Sequence, residues 1–375
     1  MRLKIIIEII SHNLLTNNMK ALILAGGRGT RLKPLTHTKN KHVIPIGNEP
    51  MIFRVISDII EAGIKDIIIN INAGDKELPY IINSAGFNVE FKYIEQPEPN
   101  GMMYPIILAQ DLIGDDKFLL HGGDNVLSGG LKKYVNEFEH NGSDAHLLVT
   151  KVDNPERFGV ALTQGNRLIK TVEKPKKWIS DLAMTAIYMY NSSVFEAMKH
   201  VEPIDPKGGS KPEYYPPPVH QWLVDNGYIV TVTEVTGWWK DTGKPDDLLL
   251  ANRLVLERKE NYIKEGKVVN SNIEGSCEIK TGAHVENSKI RGPVSIGRNV
   301  IIKNSYIGPY TSIGDNSIIE NAQIENSIVM GNAKIHDLNI RLDSCLIGWN
   351  SEVTKKLELP KSSSLFIGDD SLILM

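Results

Sequence analysis

The chain has 375 residues, more than one ordinary hydrophobic core organises, so two domains are expected. Its 42 basic and 45 acidic residues nearly cancel, which leaves no electrostatic footprint for nucleic acid or an anionic membrane. Two cysteines, Cys277 and Cys345, are too few for a disulfide framework or a thiolate metal site, and fit a reducing cytoplasm.

No run reaches the ~20 apolar residues that a membrane helix needs. The first 20 residues come closest, with Arg2 and Lys4 ahead of an apolar stretch. Glu8 interrupts that stretch and no small-residue cleavage site follows, so 1–18 reads as an extension outside the fold. Ala21-Leu22-Ile23-Leu24 then runs into glycines as a buried parallel strand does. The loop after it, Ala25-Gly26-Gly27-Arg28-Gly29-Thr30-Arg31, lets the main chain approach phosphate closely and offers its N–H groups to an anion. It is neither a dinucleotide fingerprint nor a Walker loop, because no Gly-Lys-Ser/Thr ends it. Arg31 adds a forked cation and Lys41 follows ten residues later, which turns a plain tight turn into a nucleoside triphosphate site.

Met51, Ile52, Val55, Ile56, Ile59 and Ile60 share one helical face, and Gly63 is the stop signal. The strand Ile67-Ile68-Ile69, a helical segment, a strand at 89–94, another helix and Phe118-Leu119-Leu120 follow. This βαβ series predicts a doubly wound α/β sheet with ligands at the carboxyl ends of its strands. Asp124, in Gly122-Gly123-Asp124-Asn125, would stand at such an end, where an aspartate serves either a turn or Mg²⁺. Asp241, in Trp238-Trp239-Lys240-Asp241-Thr242-Gly243, poses the same pair of options.

A helical stretch from Pro245 leads to a boundary near 264–267. Asn-Ser-Asn-Ile273, Asn-Ser-Lys-Ile290, Asn-Ser-Tyr-Ile307 and Asn-Ala-Gln-Ile324 then recur at a spacing of 17, with further hexads between them. One aliphatic residue every six or so, three per coil, predicts a parallel β-helix. After Ile324 the spacing loosens, which reads as a capping end, with a last coil at 367–370. The expected domains are therefore 19–264 and 265–375. Cys277 and Cys345 would lie some four coils apart, too far to bridge at ~4.8 Å per coil. The ten histidines show no metal spacing.

Taken together, LAGGRGTRLKPLT, Lys41 before Pro45, Gln96-Pro97, Gly123-Asp124-Asn125, Arg157-Phe158-Gly159-Val160, Val172-Glu173-Lys174-Pro175 and Trp239-Lys240-Asp241-Thr242-Gly243 resemble the sugar-1-phosphate nucleotidyltransferases in order and spacing over 20–256. Within that family, His37-Thr38, the run from Gly237 to Pro245, the β-helix and the ending from Leu365 to Ser371 resemble the long form of the glucose-1-phosphate thymidylyltransferases. The resemblance implies a Rossmann-like domain, a left-handed hexapeptide β-helix, and transfer of a nucleotidyl group from dTTP to glucose 1-phosphate. By the same resemblance Gly26, Gly27, Gly29 and Thr30 hold the triphosphate, and Arg31 and Lys41 stabilise charge on the α-phosphate and pyrophosphate. Gln96 and Gly101 meet the pyrimidine edge, Asp124 and Asp241 bind Mg²⁺, and Gly159, Glu173, Lys174 and Trp239 line the sugar phosphate pocket. A cytoplasmic homo-oligomer is implied as well, with the β-helix in its assembly or regulation.

Several positions depart from that pattern. Met103 stands where alanine is usual and is expected to enlarge the wall near the nucleotide. Ala186 replaces a glycine beside the sugar, and Pro212-Glu213-Tyr214-Tyr215-Pro216-Pro217-Pro218 replaces Gly-Glu-x-Glu-Ile-Thr. Glu49 and Asn40 stand for a common lysine and proline. UTP or another triphosphate is therefore the alternative substrate. Two other classes compete: a hexapeptide acyltransferase, for which His284 and His336 would have to serve, and a non-catalytic sugar-nucleotide sensor. The retained Arg31, Lys41, Asp124 and Asp241 argue against a sensor.

Overall fold

The computed structural model describes residues 19–206, 208, 211–258, 263–355 and 370–372. The expected extension at 1–18 and all but Asp370 of the expected coil at 367–370 lie outside them. Two units emerge: the chain up to Gly27 with Phe53–Trp239, and Arg28–Ile52 with Lys240–Met375.

The first unit is built on nine strands. In chain order these are β1 (Lys20–Leu24), β4 (Asp66–Asn72), β5 (Phe91–Gln96), β6 (Phe118–Gly122), β8 (Ala145–Lys151), β9 (Gly159–Gln164), β10 (Arg167–Glu173), β11 (Leu182–Tyr190) and β12 (Val230–Glu234), the short β2 (Pro45–Ile46), β3 (Glu49–Pro50), β7 (Asn125–Leu127) and β13 (Trp239–Asp241) lying outside this sheet. They order as β5-β4-β1-β6-β11-β8-β12-β10-β9, with β11 also reaching β9. The expected βαβ alternation is present: β1, β4, β5 and β6 are parallel and connected through α1 (Met51–Glu61), α2 (Glu77–Asn83) and α3 (Tyr104–Ile113). The apolar runs of β1, β4 and β6 are buried throughout their middles, as strands covered on both faces must be. Leu22, Ile68, Ile106, Phe118, Leu120, Leu147 and Tyr188 meet in one core, each burial contributing about 1.5–3 kcal/mol. Met103 is in that core and fully buried, so its added bulk fills the interior while the neighbouring Met102 is exposed. The remaining helices are α4 (Lys132–His140), α5 (Ser193–His200), α6 (Pro216–Asp225) and α7 (Pro245–Glu257), the last in the second unit.

Register decides what this sheet presents. Leu24 pairs with Asn70 on one side and Gly122 on the other, and Asn72 pairs with Gln96. The carboxyl ends of β1 and β6 thus finish level and β4 and β5 run two residues further, all on the edge where ligands of doubly wound sheets bind.

The second unit carries the β-helix. Short strands from Ile263–Lys264 to Glu352–Thr354 form three parallel ladders of six, six and five strands. Through most of the stack each residue pairs with the one 17 later, as Val285 with Ile302 and Ile290 with Ile307. Ile279, Ile296, Ile313, Val285, Ile302 and Ile319 point inward and are completely buried. At one corner Asn270, Asn287, Asn304 and Asn321 all have positive φ, which asparagine tolerates better than other side chains. Their amides bond coil to coil, Asn270 Nδ2 to Asn287 Oδ1 at 2.6 Å and Asn304 Nδ2 to Asn321 Oδ1 at 3.2 Å. Serines stack beside them, Ser271 and Ser288 each accepting the N–H of the serine one coil on.

The loosened spacing after Ile324 is not a cap. Ile318 pairs with Lys334, a step of 16, and Gln323 with Arg341, a step of 18. One residue is lost between the strands Gln323–Glu325 and Ile328–Val329 and two are added between Lys334–His336 and Arg341–Asp343, and the coils continue to Thr354. Cys277 and Cys345 are free thiols, and four ladder steps on one face separate their strands, as expected. No helix among the described residues is long and apolar enough to cross a membrane.

Candidate active site

In the first unit the loop after β1 starts inside the sheet. The N–H of Ala25 donates to Asn70 O at 2.8 Å, and that of Gly123 to Leu24 O at 2.9 Å, tying the ends of β1, β4 and β6 together. A Cβ on Gly26 would lie 2.8 Å from Asn70 Oδ1 and 2.9 Å from Gln96 Oε1, so only glycine fits between these amides. Gly26 is thereby brought together with Gln96, whose Nε2 donates to Glu98 O at 2.9 Å. Gly27 is exposed. Asn70 is a residue that sequence reasoning passed over. It is 1% exposed, and its Nδ2 is buried without a hydrogen-bond partner. A polar residue at the carboxyl end of an otherwise apolar strand was the available signal.

Gly101 has φ of +103°, and the main chain of Tyr214 crosses directly over it. Tyr214 N–H donates to Asn100 O at 2.8 Å and Met103 N–H to Tyr214 O at 3.1 Å. The Tyr104 and Tyr214 rings stack at 6.2 Å. The segment replacing Gly-Glu-x-Glu-Ile-Thr is thus fastened to the loop that carries Gly101.

Asp124 follows the end of β6, half-buried, with its Oδ1 accepting from Asn125 Nδ2 at 3.0 Å. Beneath it His121 is fully buried, and desolvation pushes its pKa down to about 4, against weaker opposing effects of its bond to Gly122 O and the Asp124 charge. The ring is neutral, so Asp124 gains no cation from it near pH 7.

The sugar-phosphate candidates gather at β9 and β10. Gly159 pairs with Glu173, and a Cβ on Gly159 would lie 2.9 Å from Glu173 Oε2, 2.6 Å from Met184 Cε and 3.1 Å from Pro217 Cγ. Lys174, at φ +45°, pairs with Glu173 and sits over the Tyr215 ring, 4.7 Å from its centroid. Burial foremost, with the charges of Glu213 and Glu173, raises the Tyr215 phenol to about 12, so it stays a neutral donor. Trp239 is 8% exposed, packs edge-on against Phe158 and donates its indole N–H to Thr185 O at 3.1 Å. Its indole N–H is therefore already engaged by the protein. Ala186, next along, has φ of +59°, an αL geometry that costs alanine about 1–2 kcal/mol. Ala186→Gly is expected to raise unfolding stability by about 0.5–1 kcal/mol, the strain relief less the greater freedom of glycine in the unfolded chain. Urea unfolding of the two proteins checks this; a lower midpoint for the glycine variant would contradict it.

In the second unit Gly29 adopts φ +62° and starts a 3₁₀ turn over Thr30–Leu32. Its carbonyl accepts from Leu32 N–H at 2.9 Å and from Thr36 Oγ1 at 2.7 Å. A Cβ there would lie 3.0 Å from Lys41 Cβ, which brings the Lys41 stem against the glycine loop. Thr30 and Arg31 are exposed. Arg31 and Asp241 converge on Gly243, whose Cβ position is 2.9 Å from Arg31 Nη2 and 3.0 Å from Asp241 Oδ1. The Gly243 N–H donates to that same Asp241 oxygen at 3.0 Å, so the Asp-Thr-Gly turn orients its own carboxylate. No cluster of three or more His, Cys, Asp or Glu residues suited to a metal occurs among the described residues.

The resemblance drawn from the motifs has independent counterparts. The nucleotidyl transferase family model matches residues 20–258, and the C-terminal domain model GMPPB_C matches 290–373. A glucose-1-phosphate thymidylyltransferase of Streptomyces griseus is 36% identical over 355 residues, covering 94% of this chain and 98% of that protein. A mannose-1-phosphate guanyltransferase of Aspergillus fumigatus is 30% identical over 374 residues, covering 95% and 92%. The crystal structure of a putative glucose-1-phosphate thymidylyltransferase from Bacillus anthracis, bound to sucrose, superposes with a TM-score of 0.58 at 35% identity. It covers 66% of this chain and 98% of its own. With the family model spanning well over half of the sequence and full-length relatives at 36% and 30% identity, the chain belongs to the nucleotidyl transferase family of enzymes.

Proposed function

We propose that this nucleotidyltransferase joins dTTP to glucose 1-phosphate, releasing dTDP-glucose and pyrophosphate. The observation that carries this reading is the cradle at Gly159. There a carboxylate, Glu173, stands ready to accept from sugar hydroxyls, beside an ammonium, Lys174, suited to a phosphate. The full-length similarity to a thymidylyltransferase supports the choice of base and sugar.

In the reaction, an anionic oxygen of the sugar phosphate attacks the α-phosphorus in line. A new P–O bond forms while the bond to the β-phosphate oxygen breaks, and pyrophosphate leaves with the electron pair. No proton moves, so no serine, cysteine or general base is required. Acceleration comes from positioning two polyanions and from neutralising the charge that develops. Gly26, Gly27, Gly29 and Thr30 hold the triphosphate main chain to oxygen, and Arg31 and Lys41 neutralise the α-phosphate and departing pyrophosphate. Gln96 and Gly101 take the pyrimidine edge, with Asn70 added beside Gln96. Gly159, Glu173, Lys174 and Trp239 line the sugar phosphate pocket.

Asp124 and Asp241 are the carboxylates assigned to Mg²⁺. Both are hard oxygen donors, each oriented by a neutral N–H donor, and Mg²⁺ proteins use one or two carboxylates together with substrate phosphates. When bound, the ion adds positive charge to the phosphate oxygens. A cytoplasmic homo-oligomer belongs to the same proposal; the two free thiols, of which Cys277 is pushed to about 11 by burial, support the reducing compartment alone.

A second reading, GTP with mannose 1-phosphate, is favoured by the GMPPB_C match and the Aspergillus relative. Pyrophosphate release separates the two, with dTTP, UTP, CTP, GTP and ATP each paired with several hexose 1-phosphates and Mg²⁺. The highest kcat/KM is expected for dTTP with glucose 1-phosphate. A maximum with GTP and mannose 1-phosphate would overturn the assignment of base and sugar while keeping the chemistry. Nucleotide binding without turnover of any pair would replace it with the sensor reading.

A further inference from the structure

We infer that the β-helix is the scaffold that positions Lys41, through a hairpin tip clamped into its coils by Asn48 and Asn252. This deepens the functional reading above and rests on it for the role of Lys41.

The hairpin is β2 and β3, joined by Gly47 and Asn48. Their φ values of +63° and +64° are those a two-residue mirror-image turn requires. The tip does not end in solvent. Asn48 Nδ2 lies 2.8 Å from Ser295 O, 3.0 Å from Ser295 Oγ and 2.9 Å from Ile313 O, on two successive coils of the β-helix. Gly47 N–H donates at 2.8 Å to Oδ1 of Asn252, on α7. Asn252 is completely buried, and the same oxygen accepts from Ser312 Oγ at 2.7 Å while its Nδ2 donates to Tyr310 O at 2.9 Å. A buried amide with both ends satisfied holds its neighbours in one arrangement, because any displacement leaves polar groups unpaired.

The clamp leads to Lys41 through few residues. Met51 N–H donates to Ile44 O at 3.2 Å and Ile44 N–H to Lys41 O at 3.1 Å, so the hairpin base and the Lys41–Val43 3₁₀ turn are hydrogen-bonded in series. Lys41 in turn packs beneath Gly29. The β-helix thus reaches the phosphate loop through its own unit, a role distinct from assembly. Asn48 and Asn252 are positioning residues, since neither is assigned a contact with substrate.

Asn48→Gly tests this, because glycine keeps the turn geometry and removes only the side-chain bonds. Hydrogen exchange followed by mass spectrometry is expected to speed up about tenfold in peptides covering 40–50, with other peptides unchanged. The kcat is expected to fall about tenfold, with the KM for the sugar phosphate within twofold of the parent. Asn48→Asp, which also tolerates the turn but sets a carboxylate against two carbonyls, is expected to exchange faster still. Unchanged exchange in both variants overturns the clamp. Faster exchange with an unchanged kcat overturns its link to Lys41. A parent enzyme with no transferase activity would count against the functional reading, and the exchange data would still decide the clamp.

Discussion

Replacing Arg31 with alanine is expected to lower kcat by on the order of 10²-fold or more, with the thermal transition essentially unmoved. Arg31 is exposed, so its stem buries little and its loss changes stability by less than about 0.5 kcal/mol. Its guanidinium instead meets the Asp241 turn at Gly243, holding a fork of donors beside a carboxylate assigned to the metal. In phosphoryl chemistry such a cation matters most when charge builds on the leaving group. Arg31→Lys is expected to fall between parent and alanine variant, since an ammonium supplies charge without the fork. Pyrophosphate release and a thermal melt on the same samples check this. An alanine variant within a few-fold of the parent would remove Arg31 from the catalytic set.

Gly101→Ala is expected to act on folding first and on the nucleotide second. The residue is at φ +103°, where a side chain is strained by about 1–3 kcal/mol. The added Cβ would also come within 2.6 Å of both the N and O of Tyr214, and backbone cannot rotate away as a flexible side chain does. Each of those atoms is fixed by a hydrogen bond, to Asn100 O and from Met103 N–H. Overpacking of that kind costs about 1–3 kcal/mol, so the sum is about 2–6 kcal/mol. Melting is expected to drop by roughly 5–15 °C. The KM for the nucleotide is expected to rise, because relief requires the Gly101 loop to move. A melting temperature within 1 °C of the parent would mean the loop accommodates the methyl, and would contradict the rigidity argued here.

The contrast between Gly101 and Ala186 marks the reach of sequence reasoning. Both positions have positive φ, yet only one carries glycine. The motif pointed to Gly101 as a ligand contact, whereas its crossing by Tyr214 depends on a segment more than 100 residues away in the chain. Met103 illustrates the same limit. Read beside a nucleotide-binding glycine it was expected at the nucleotide wall, but the start of α3 turns its side chain into the core. Local spacing names the residue; packing decides which way it faces.

The alternating strands of the sheet, the coils of the β-helix and the chemical character of the loop residues are legible in the sequence. Those features repeat at short period, and period is what hydrophobic pattern and αL-tolerant asparagines encode. The same reading makes Arg31, Lys41, Asp124 and Asp241 the candidates for a reaction between polyanions. That the chain changes units in the middle of the glycine loop, between Gly27 and Arg28, emerges only once it is folded. The closed fold alone seats the Gly47–Asn48 hairpin tip against Asn252 and against the coils at Ser295 and Ile313. These are pairings between residues some 205 to 265 positions apart. No local pattern carries them, because a buried amide chooses its partners only after the surfaces around it have closed.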